Sequence, residues 1–479
     1  MEETIETLYE IIWSDALVFL CLAAGIYFSI ATRFLQLTNL KSMVKLLVGG
    51  SASKKGVSSF QAFALALSGR IGTGNIAGVA TAIAMGGPGA VFWMWLIAFL
   101  GSASAFVEAT LGQIYKEVKD GQYRGGPAFY IEKGLGVKWY GIVFAIATIL
   151  STALFLPGVQ SNSIALSSDN AFSIPVHYTG IGLVVLLGLI IIGGIKRIAK
   201  VAQVVVPFMA GGYILLAIVI IGLNIKEIPA VFGLIIRSAF DFEPAFSGMI
   251  GMAIAWGVKR GIYSNEAGQG TAPHAAAAAE VSHPAKQGLV QAFSVYVDTL
   301  FVCTATALMI LFTGSFNVYH PNGDYVVQHL PDTEIGPAYT QQAIAHHFPL
   351  LGAPAVAIAL LFFAFTTILA YYYMAETNLS YIDRKGRHKW AVWALRIMIL
   401  AATFYGTIRT AEVAWKLGDI GVGMMAWLNL IAILLLRKPA LRALKDYRKQ
   451  RREGKDPNFN PAHHGIKRAY FWEKAGTEE

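Results

Sequence analysis

The stretch SGRIGTGNIAG, Ser68 to Gly78, places an arginine, an asparagine and four glycines inside an otherwise apolar segment. Glycine destabilises a helix interior, and an arginine is costly in hydrocarbon. Lipid cannot satisfy free main-chain groups, so an unwound helix at membrane depth must face a cavity. We therefore expect a transmembrane helix that breaks here to bind ligands with its main chain.

Composition supports this membrane setting. The chain has 479 residues, of which 55% are hydrophobic and 14% charged, whereas soluble proteins carry roughly a quarter charged residues. Its acidic start, MEETIETLYE, argues against a cleavable signal. We assign the net charge of +9 to loops facing anionic lipid and expect no nucleic-acid partner. Cys21 and Cys303 lie in apolar spans and are expected to pack there.

Apolar runs of about 20 residues match the thickness of a hydrocarbon core, and they predict an all-α polytopic membrane protein. The eleven predicted transmembrane helices are 12–32, 58–85, 88–116, 138–160, 178–195, 201–224, 246–280, 287–314, 350–381, 390–409 and 413–437.

Lysine and arginine are distributed unevenly between alternate loops. The basic segments are 33–57 (which includes Lys54), 117–137, 196–200, 382–389 (which includes Arg387) and the tail after 437. By contrast, 161–177 and 315–349 contain neither residue, and Lys226, Arg237 and Arg409 are mild exceptions. Basic loops stay in the cytoplasm. This predicts a plasma (cell inner) membrane protein whose N-terminus is outside and whose C-terminus is cytoplasmic.

A second stretch repeats the first. ALALSGRIGTGNIAG (64–78) and AIAWGVKRGIYSNEAG (253–268) share R-x4-N-x-A-G, which aligns Arg70 with Arg260 and Asn75 with Asn265. The two copies begin an odd number of spans apart, which predicts an inverted repeat with paired broken helices at a transporter's binding site. We predict an extra helix and cytoplasmic loop in 1–57, five-helix repeats in 58–224 and 246–437, and a basic tail in 438–479. The tail is expected to be a solvated helical extension, and a regulatory or lipid-binding role for it stays open.

The unwound stretch offers groups for two ligands. Amides of Gly72, Thr73 and Gly74 suit a carboxylate, and carbonyls of Ser68 and Ile71 suit a small cation. Hard cations such as Na⁺ take several oxygen ligands, and the adjacent hydroxyls of Thr366 and Thr367 are candidates. Two alternatives stand beside this interpretation: a glycine-rich helix-packing face, and threonines that bond their own backbone four residues back.

At this point the sequence resembles the alanine or glycine:cation symporter family, which shares the leucine-transporter fold. The resemblance rests on GRIGTGNIAGVATAIAMGGPGAVFWMW and KRGIYSNEAGQGTAPHAAAAA and covers essentially the whole chain. It implies an N-terminal extra helix, a 5+5 inverted repeat with two broken helices, and uptake of small neutral amino acids driven by Na⁺ or sometimes H⁺.

The resemblance also implies particular site residues. The sodium site would comprise the carbonyls of Ser68, Ile71 and Phe363 with the hydroxyls of Thr366 and Thr367. The substrate site would comprise Gly72, Thr73, Gly74, Asn75, Gln160, Trp256 and Gly261. Trp256 and Gly261 would bracket the second unwound segment, and Asn75 would orient the substrate or a second ion. A role for Gln160 and one for Trp256 compete with simple packing. An Arg260–Glu266 pair is expected beside the second break.

Sequence thus predicts a symporter that couples inward Na⁺ movement to uptake of alanine or glycine. It would be a monomer or weak homo-oligomer in the bilayer. An H⁺-coupled carrier, one that prefers glutamine or serine, and a non-transporting amino-acid sensor remain alternatives. An enzyme is not expected, because no span carries a Ser-His, HExxH or paired-Asp arrangement.

Overall fold

The computed structural model describes residues 2–48, 52–53, 55–386 and 388–475. Lys54 and Arg387, used above to assign sidedness, lie outside these ranges, as do residues 476–479 of the tail. The described chain is predominantly helical. The expectation of an all-α chain needs one correction, since two antiparallel hairpins occur: β1 (Glu117–Lys119) with β2 (Gln122–Arg124), and β3 (Asn317–Tyr319) with β4 (Tyr325–Gln328).

The helices of the described residues are short in the loops and long in the apolar segments. In chain order they are α1 (Glu2–Ile12), α2 (Asp15–Ala31), α3 (Leu35–Thr38), α4 (Leu40–Val48), α5 (Ser59–Arg70), α6 (Ala77–Gly86), α7 (Gly89–Ile114), α8 (Pro127–Tyr130), α9 (Lys138–Leu150), α10 (Leu156–Phe172), α11 (Val176–Ile191), α12 (Gly194–Leu223), α13 (Ile228–Ala239), α14 (Ile250–Asn265), α15 (Ala272–Ala278), α16 (Pro284–Val295), α17 (Thr304–Phe312), α18 (Pro337–Ala345), α19 (Gly352–Ile382), α20 (Lys389–Thr407), α21 (Ala411–Leu435), α22 (Arg437–Arg452) and α23 (Tyr470–Ala475). π-Helical segments at Ile131–Leu135, Ser151–Phe155 and Tyr296–Cys303 extend neighbouring helices.

Eight helical segments in the described ranges are long and apolar enough to cross a membrane. They are Glu3–Ala31, Gly89–Ile114, Lys138–Phe172, Gly194–Leu223, Pro284–Phe312, Gly352–Ile382, Lys389–Thr407 and Ala411–Leu435. Of the eleven predicted spans, 58–85 and 246–280 are each divided into shorter helices, and 178–195 corresponds to the 16-residue α11. The count of eleven spans and the inverted repeat stay predictions.

Two predicted loops are helical instead. The helix that begins at Lys138 runs through the π segment Ser151–Phe155 to Phe172, so most of the predicted loop 161–177 belongs to α10. Its polar residues suggested a loop, but Asn162, Ser163 and Ser167 are buried inside the protein. Likewise, the basic segment 196–200 lies in the first turns of α12.

Two groups of helices enclose the broken helix formed by α5 and α6. Helix α7 packs against α2, α14 and α16, and α10 packs against α19, α20 and α21. Helix α5 contacts α12 and α19, which brings its C-terminal end against the middle of α19. A capping box starts α5: Gln61 N donates to Ser58 Oγ (3.2 Å) and Ser58 N donates to Gln61 Oε1 (3.0 Å).

The C-terminal tail is docked onto the helices and is not solvated on all sides as predicted. In α22 the residues Ala440, Ala443, Leu444 and Tyr447 are buried. Further along, Trp472 is also buried, and its Nε1 donates to the carbonyl of Gln113 (2.9 Å). A tail with little apolar sequence therefore packs through a few regularly spaced side chains on one face.

Candidate functional site

The first broken helix unwinds where the sequence predicts. Helix α5 ends at Arg70, Ile71 is extended (φ −75°, ψ 92°), and a 3-10 turn over Thr73–Asn75 leads into α6. Ser68, Ile71, Thr73 and Asn75 are all buried. The freed main-chain groups therefore lie inside the protein, as unsatisfied backbone at membrane depth must.

Gly72 is required by a close approach. A Cβ atom at this position would lie 2.6 Å from Thr367 Oγ1 and 2.8 Å from Gln160 Oε1, so a side chain would push α10 and α19 away from the unwound segment. The glycine lets groups from three separate elements converge on one point.

Four of the five oxygens predicted to hold Na⁺ meet at Thr367. Its Oγ1 lies 2.8 Å from the Ser68 carbonyl, 2.9 Å from that of Phe363 and 3.2 Å from that of Ile71. A hydroxyl has a single proton to donate, so it can satisfy only one of these acceptors at a time. The surplus of oxygen lone pairs favours a small hard cation.

Thr366, the fifth predicted ligand, behaves differently from its neighbour. Its hydroxyl lies 2.9 Å from the Phe362 carbonyl, one turn back in the same helix, and 3.1 Å from the Phe363 carbonyl. This is the backbone bonding that the alternative interpretation expected of a membrane threonine, and Thr367 makes it too, to the Phe363 carbonyl four residues back. Thr366 therefore reaches the cluster only through the Phe363 carbonyl, which it shares with Thr367.

The amides expected to bind a carboxylate have side-chain oxygens as partners. Thr73 N and Thr73 Oγ1 lie 3.0 Å and 2.8 Å from Gln160 Oε1, and Gly72 N donates to Asn75 Oδ1 (2.8 Å). Gly74 lies against the main chain of Ser264 in the second broken helix. The geometry thus joins Gln160 to the unwound segment, and it places an acceptor oxygen where a carboxylate oxygen is predicted.

Asn75 connects the first break to an acid on a third element. Its Nδ2 donates to Asp298 Oδ1 (2.6 Å), and Ser264 Oγ donates to Asp298 Oδ2 (3.0 Å). Thr299 Oγ1 lies 2.7 Å from the same Asp298 Oδ2. Asp298 is fully buried and sits in the π segment Tyr296–Cys303, a helical distortion common at functional sites. The site therefore contains a carboxylate held by three neutral donors.

The second break lies further along the chain than predicted. Helix α14 continues to Asn265, and α15 begins at Ala272. Glu266, directly after the helix, has a φ of 55° and ends it, and Gly268 and Gly270 in the following turn have φ values of 80° and 88°. The amides of Gly268 and Gly270 donate to the two carboxylate oxygens of Glu108 (3.3 and 3.1 Å). A carboxylate from α7 thereby satisfies the main chain that this break frees.

Trp256 and Gly261 therefore do not bracket the unwound segment, because both lie within α14. A Cβ at Gly261 would come within 2.5 Å of Ile97 Cγ2, so this glycine allows α14 to pack closely on α7. The Trp256 ring lies 4.8 Å from Lys259 Nζ and 5.2 Å from Arg260 Cζ, in a cation–π cluster. Their assignment to the substrate stays a prediction, and the place of the break is a correction.

The two arginines of the repeated motif have different surroundings. Arg70 is buried, donates to the Gln291 carbonyl (3.1 Å) and contacts Ser294 Oγ. Its Nε and Nη2 have no hydrogen-bond acceptor among the described residues. Its electrostatic partners are Glu266, Glu108 and Asp298, so one cation faces three carboxylates.

Arg260 forms a bidentate pair with Asp419, at 3.0 and 2.9 Å, and not the predicted pair with Glu266. Lys259 Nζ lies 3.6 Å from the same carboxylate, and the Trp415 ring stacks 4.5 Å from Arg260 Cζ. Glu266 instead accepts from Thr271 Oγ1 (2.8 Å). Separating a buried ion pair leaves uncompensated charges inside the protein, which is costly. Because Arg260 is on α14 and Asp419 is on α21, the pair holds these two helices together.

A cavity of about 310 Å³ opens beside this pair. Trp415 forms part of its wall, together with Asn162 and Ser163 of α10, within one turn of Gln160.

Sequence motifs do not identify three acids of the site, which appear in the sequence simply as charged residues in apolar spans: Glu108, Asp298 and Asp419. Their partners lie on other helices, far away along the chain, so spacing carries no signal of the pairing. The sequence gives one indication only: a charged residue in a membrane span is energetically costly, which implies that it has a buried partner.

The geometry defines a class of protein. Two helices broken within a polytopic helical bundle, a cluster of carbonyl and hydroxyl oxygens, and donors suited to a carboxylate are features of cation-coupled transporters. The sodium:alanine symporter family matches residues 1–461. The chain belongs to this family, which is one of membrane transporters, and the resemblance noted in the sequence is confirmed.

Similarity to individual proteins extends over nearly the whole chain. This chain is 62% identical to YrbD of Bacillus subtilis (strain 168) over 479 residues, which covers 100% of this chain and 99% of the relative. It is 56% identical to the sodium/proton-dependent alanine carrier protein of Bacillus sp. (strain PS3), over 90% of this chain and 97% of the relative. The fold is similar to that of a Na⁺-coupled sialic acid symporter, at 13% identity and a TM-score of 0.54, over 98% of this chain and 97% of that one.

Proposed function

We propose that this chain couples inward Na⁺ movement to the uptake of a small neutral amino acid, with alanine as the first candidate and glycine as the second. The observation that carries the proposal is Thr367 Oγ1, which lies within 3.2 Å of three carbonyl oxygens. Four oxygens from α5, its unwound end and α19 are close enough to share one ion. The relative from strain PS3 is named a sodium/proton-dependent alanine carrier, which supports both the ion and the substrate.

The amino acid binds next to the ion in this proposal. Its carboxylate takes the place of Gln160 Oε1 on Thr73 N and Thr73 Oγ1, where charge-assisted hydrogen bonds are stronger than neutral ones. Gly74 packs closely against Ser264, so there is little space beside the unwound segment. This favours an amino-acid substrate with a small side chain. Ion and substrate then both stabilise one arrangement of α5, α6 and α19, and this shared preference is the coupling.

The cycle requires access from each side in turn. We infer that the Arg260–Asp419 pair, with Trp415 stacked on it, closes the outer route, and that the cavity beside it is the outer vestibule. The distribution of basic residues supports an outer N-terminus and a cytoplasmic C-terminus in the plasma membrane. Eleven spans, with 58–224 and 246–437 as inverted five-helix repeats, fit alternating access.

A second candidate is coupling to H⁺, and Asp298 is the observation that favours it. This acid is buried and accepts hydrogen bonds from Asn75, Ser264 and Thr299 beside the unwound segment. A proton on Asp298 would remove one of the three negative charges around Arg70. Glutamine is a second substrate candidate, because a sodium/glutamine symporter of Bacillus subtilis is 44% identical to this chain.

The direct test is uptake of labelled alanine into proteoliposomes that contain the full-length chain. An inward Na⁺ gradient at equal pH should drive accumulation above equilibrium. A pH gradient without Na⁺ should not. Accumulation that does not depend on Na⁺ and disappears when the pH gradient collapses would move the coupling role to H⁺. Binding of alanine without accumulation under either gradient would overturn symport itself, and competition by glutamine, serine, glycine and D-alanine would rank the substrates.

A further inference from the structure

A second cavity, of about 870 Å³, lies where α2 leaves the membrane-spanning segment and α22 passes by. It does not overlap the unwound segments, so a ligand bound in it would be independent of the proposed function. Its lining is strongly basic, and the cationic residues in it are Arg33, Arg442, Lys445, Arg448, Lys449 and Arg452, with His463 and His464 beside them.

The positive charge in this basic cavity is not neutralised from within. Each of its two acids already has a partner: Asp446 lies 3.2 Å from both His283 and the lining residue His464, and Glu453 pairs with Lys455 at 2.8 Å. None of the six lysines and arginines forms an ion pair among the described residues. The pKa of Arg448 is lowered, first by burial and then by the positive charges of Arg33 and Arg452. Six cationic side chains therefore line the cavity together with only two acidic ones.

Exposed apolar side chains lie close to Arg33 along the chain. Ile26 and Ile30 on the last turns of α2 are exposed (48% and 62%), as are Phe34 (43%) and Leu37 (63%) just beyond its end. The exposed face of a spanning helix is where acyl chains run. The end of α2 is thus a junction of a lipid-facing apolar strip with an uncompensated cationic cavity.

We propose that the basic cavity binds the phosphate headgroup of an anionic phospholipid, whose acyl chains lie along Ile26, Ile30 and Leu37. Arg33, at the end of the spanning helix, and Lys445 and Lys449, on the exposed face of α22, supply the charge. Basic pockets at the ends of spanning helices suit such headgroups, with roughly 1 kcal/mol for each lysine or arginine near the surface. A soluble phosphate would use the cations and ignore the apolar strip, so the strip identifies a lipid as the occupant.

Two matched variants test this. The first removes three exposed cations of the cavity, by Arg33→Gln, Lys445→Gln and Lys449→Gln. The second removes three exposed cations that do not line it, by Lys200→Gln, Lys385→Gln and Lys389→Gln. Each full-length protein is purified in mild detergent and titrated with phosphatidylglycerol, with cardiolipin and with phosphatidylcholine. Bound lipid is counted by native mass spectrometry, and thermal unfolding is followed in parallel.

We expect the unsubstituted chain to retain and be stabilised by the anionic lipids but not by phosphatidylcholine. The first variant should need at least about tenfold more anionic lipid for half-saturation, and the second should match the unsubstituted chain. Equal binding of phosphatidylcholine would overturn the proposal, as would equal loss in both variants. Full displacement of the lipid by inorganic phosphate at matched concentration would show a phosphate site in place of a lipid site.

Discussion

At Thr367 a single hydroxyl proton faces three carbonyl oxygens, two of which come from the end of α5, whereas both carbonyl oxygens near the hydroxyl of Thr366 belong to its own helix. The sequence shows two identical side chains in succession and cannot distinguish them. Successive residues on a helix point about 100° apart, so only the angular position of α19 decides which hydroxyl meets α5. The sequence predicted the pair as a unit, and the structure separates a central hydroxyl from a peripheral one.

Replacing Thr367 with valine keeps the side-chain volume and removes the hydroxyl oxygen from the proposed ion site. We expect the Na⁺ concentration for half-maximal alanine uptake to rise about tenfold or more, because losing a ligand oxygen costs on the order of 1–3 kcal/mol. Thr366→Val is the matched control, and it should shift the same quantity less than about threefold. A Thr367→Val protein with unchanged Na⁺ dependence would contradict the ion site, and equal shifts in both variants would contradict the distinction between them.

At the scale of the elements, the two breaks were not equally predictable. The first was found because an arginine, an asparagine and clustered glycines are out of place in a membrane helix. We predicted the second break between Trp256 and Gly261, but the helix continues to Asn265. A glycine in a helix serves close packing as readily as unwinding, and Gly261 packs on Ile97. Gly268 and Gly270, in the turn that follows the helix, have positive φ values, whereas Gly261 lies within α14.

The second break depends on Glu108. Glu108→Gln keeps the shape of the side chain and leaves only one carbonyl oxygen where two carboxylate oxygens accept from Gly268, Gly270 and Asn429. One buried amide then loses its acceptor, which costs about 1–3 kcal/mol. We expect a lower midpoint of thermal unfolding in detergent. Glu227→Gln, at an exposed position between α12 and α13, is the control and should leave the midpoint unchanged. A stable Glu108→Gln protein would show that other groups, or water, satisfy these amides.

At the scale of the whole molecule, the C-terminal tail is folded back against the segment that leads into α16. Ser282 Oγ donates to the Pro457 carbonyl (2.8 Å), and Lys286 pairs with Asp456 (2.7 Å). Composition alone indicated a solvated extension, because the buried positions of α22 are few and its mean composition is strongly polar. Packing of the tail depends on the loop that it contacts, which is far away in the sequence. The sequence of the tail alone therefore does not predict it.

The tail contact contains a histidine that the geometry requires to be neutral. His283 Nδ1 accepts from Ala285 N (3.1 Å) at the start of α16, so its proton is on Nε2, which faces Asp446 Oδ2 (3.2 Å). Burial lowers the pKa of His283 below its usual value, although Asp446 opposes this shift. Lys286 and His464 are the other charged or titratable groups near it. A base with a lowered pKa in the folded state loses stabilisation as pH falls through its ordinary pKa of about 6.5.

Acid should therefore loosen the tail. Between pH 7.5 and pH 5.5 we expect faster cleavage of residues 453–475 by a protease whose own activity is corrected for pH. His283→Gln should abolish most of that pH dependence, because its side chain can cap α16 without titrating. His463→Gln, on an exposed residue, should retain the dependence. Cleavage at a constant rate across this range in the unsubstituted chain would contradict the role of His283.

Gln160 has a consequence for the return half of a transport cycle. A symporter that has delivered its cargo must reorient with the helix termini still satisfied, and an uncharged amide oxygen from α10 already reaches both donors of Thr73. At the proposed substrate site, an arriving carboxylate would therefore compete with the Gln160 amide oxygen for these two donors. Such competition would weaken binding of the amino acid, but it would also speed its release into a compartment where its concentration is already high.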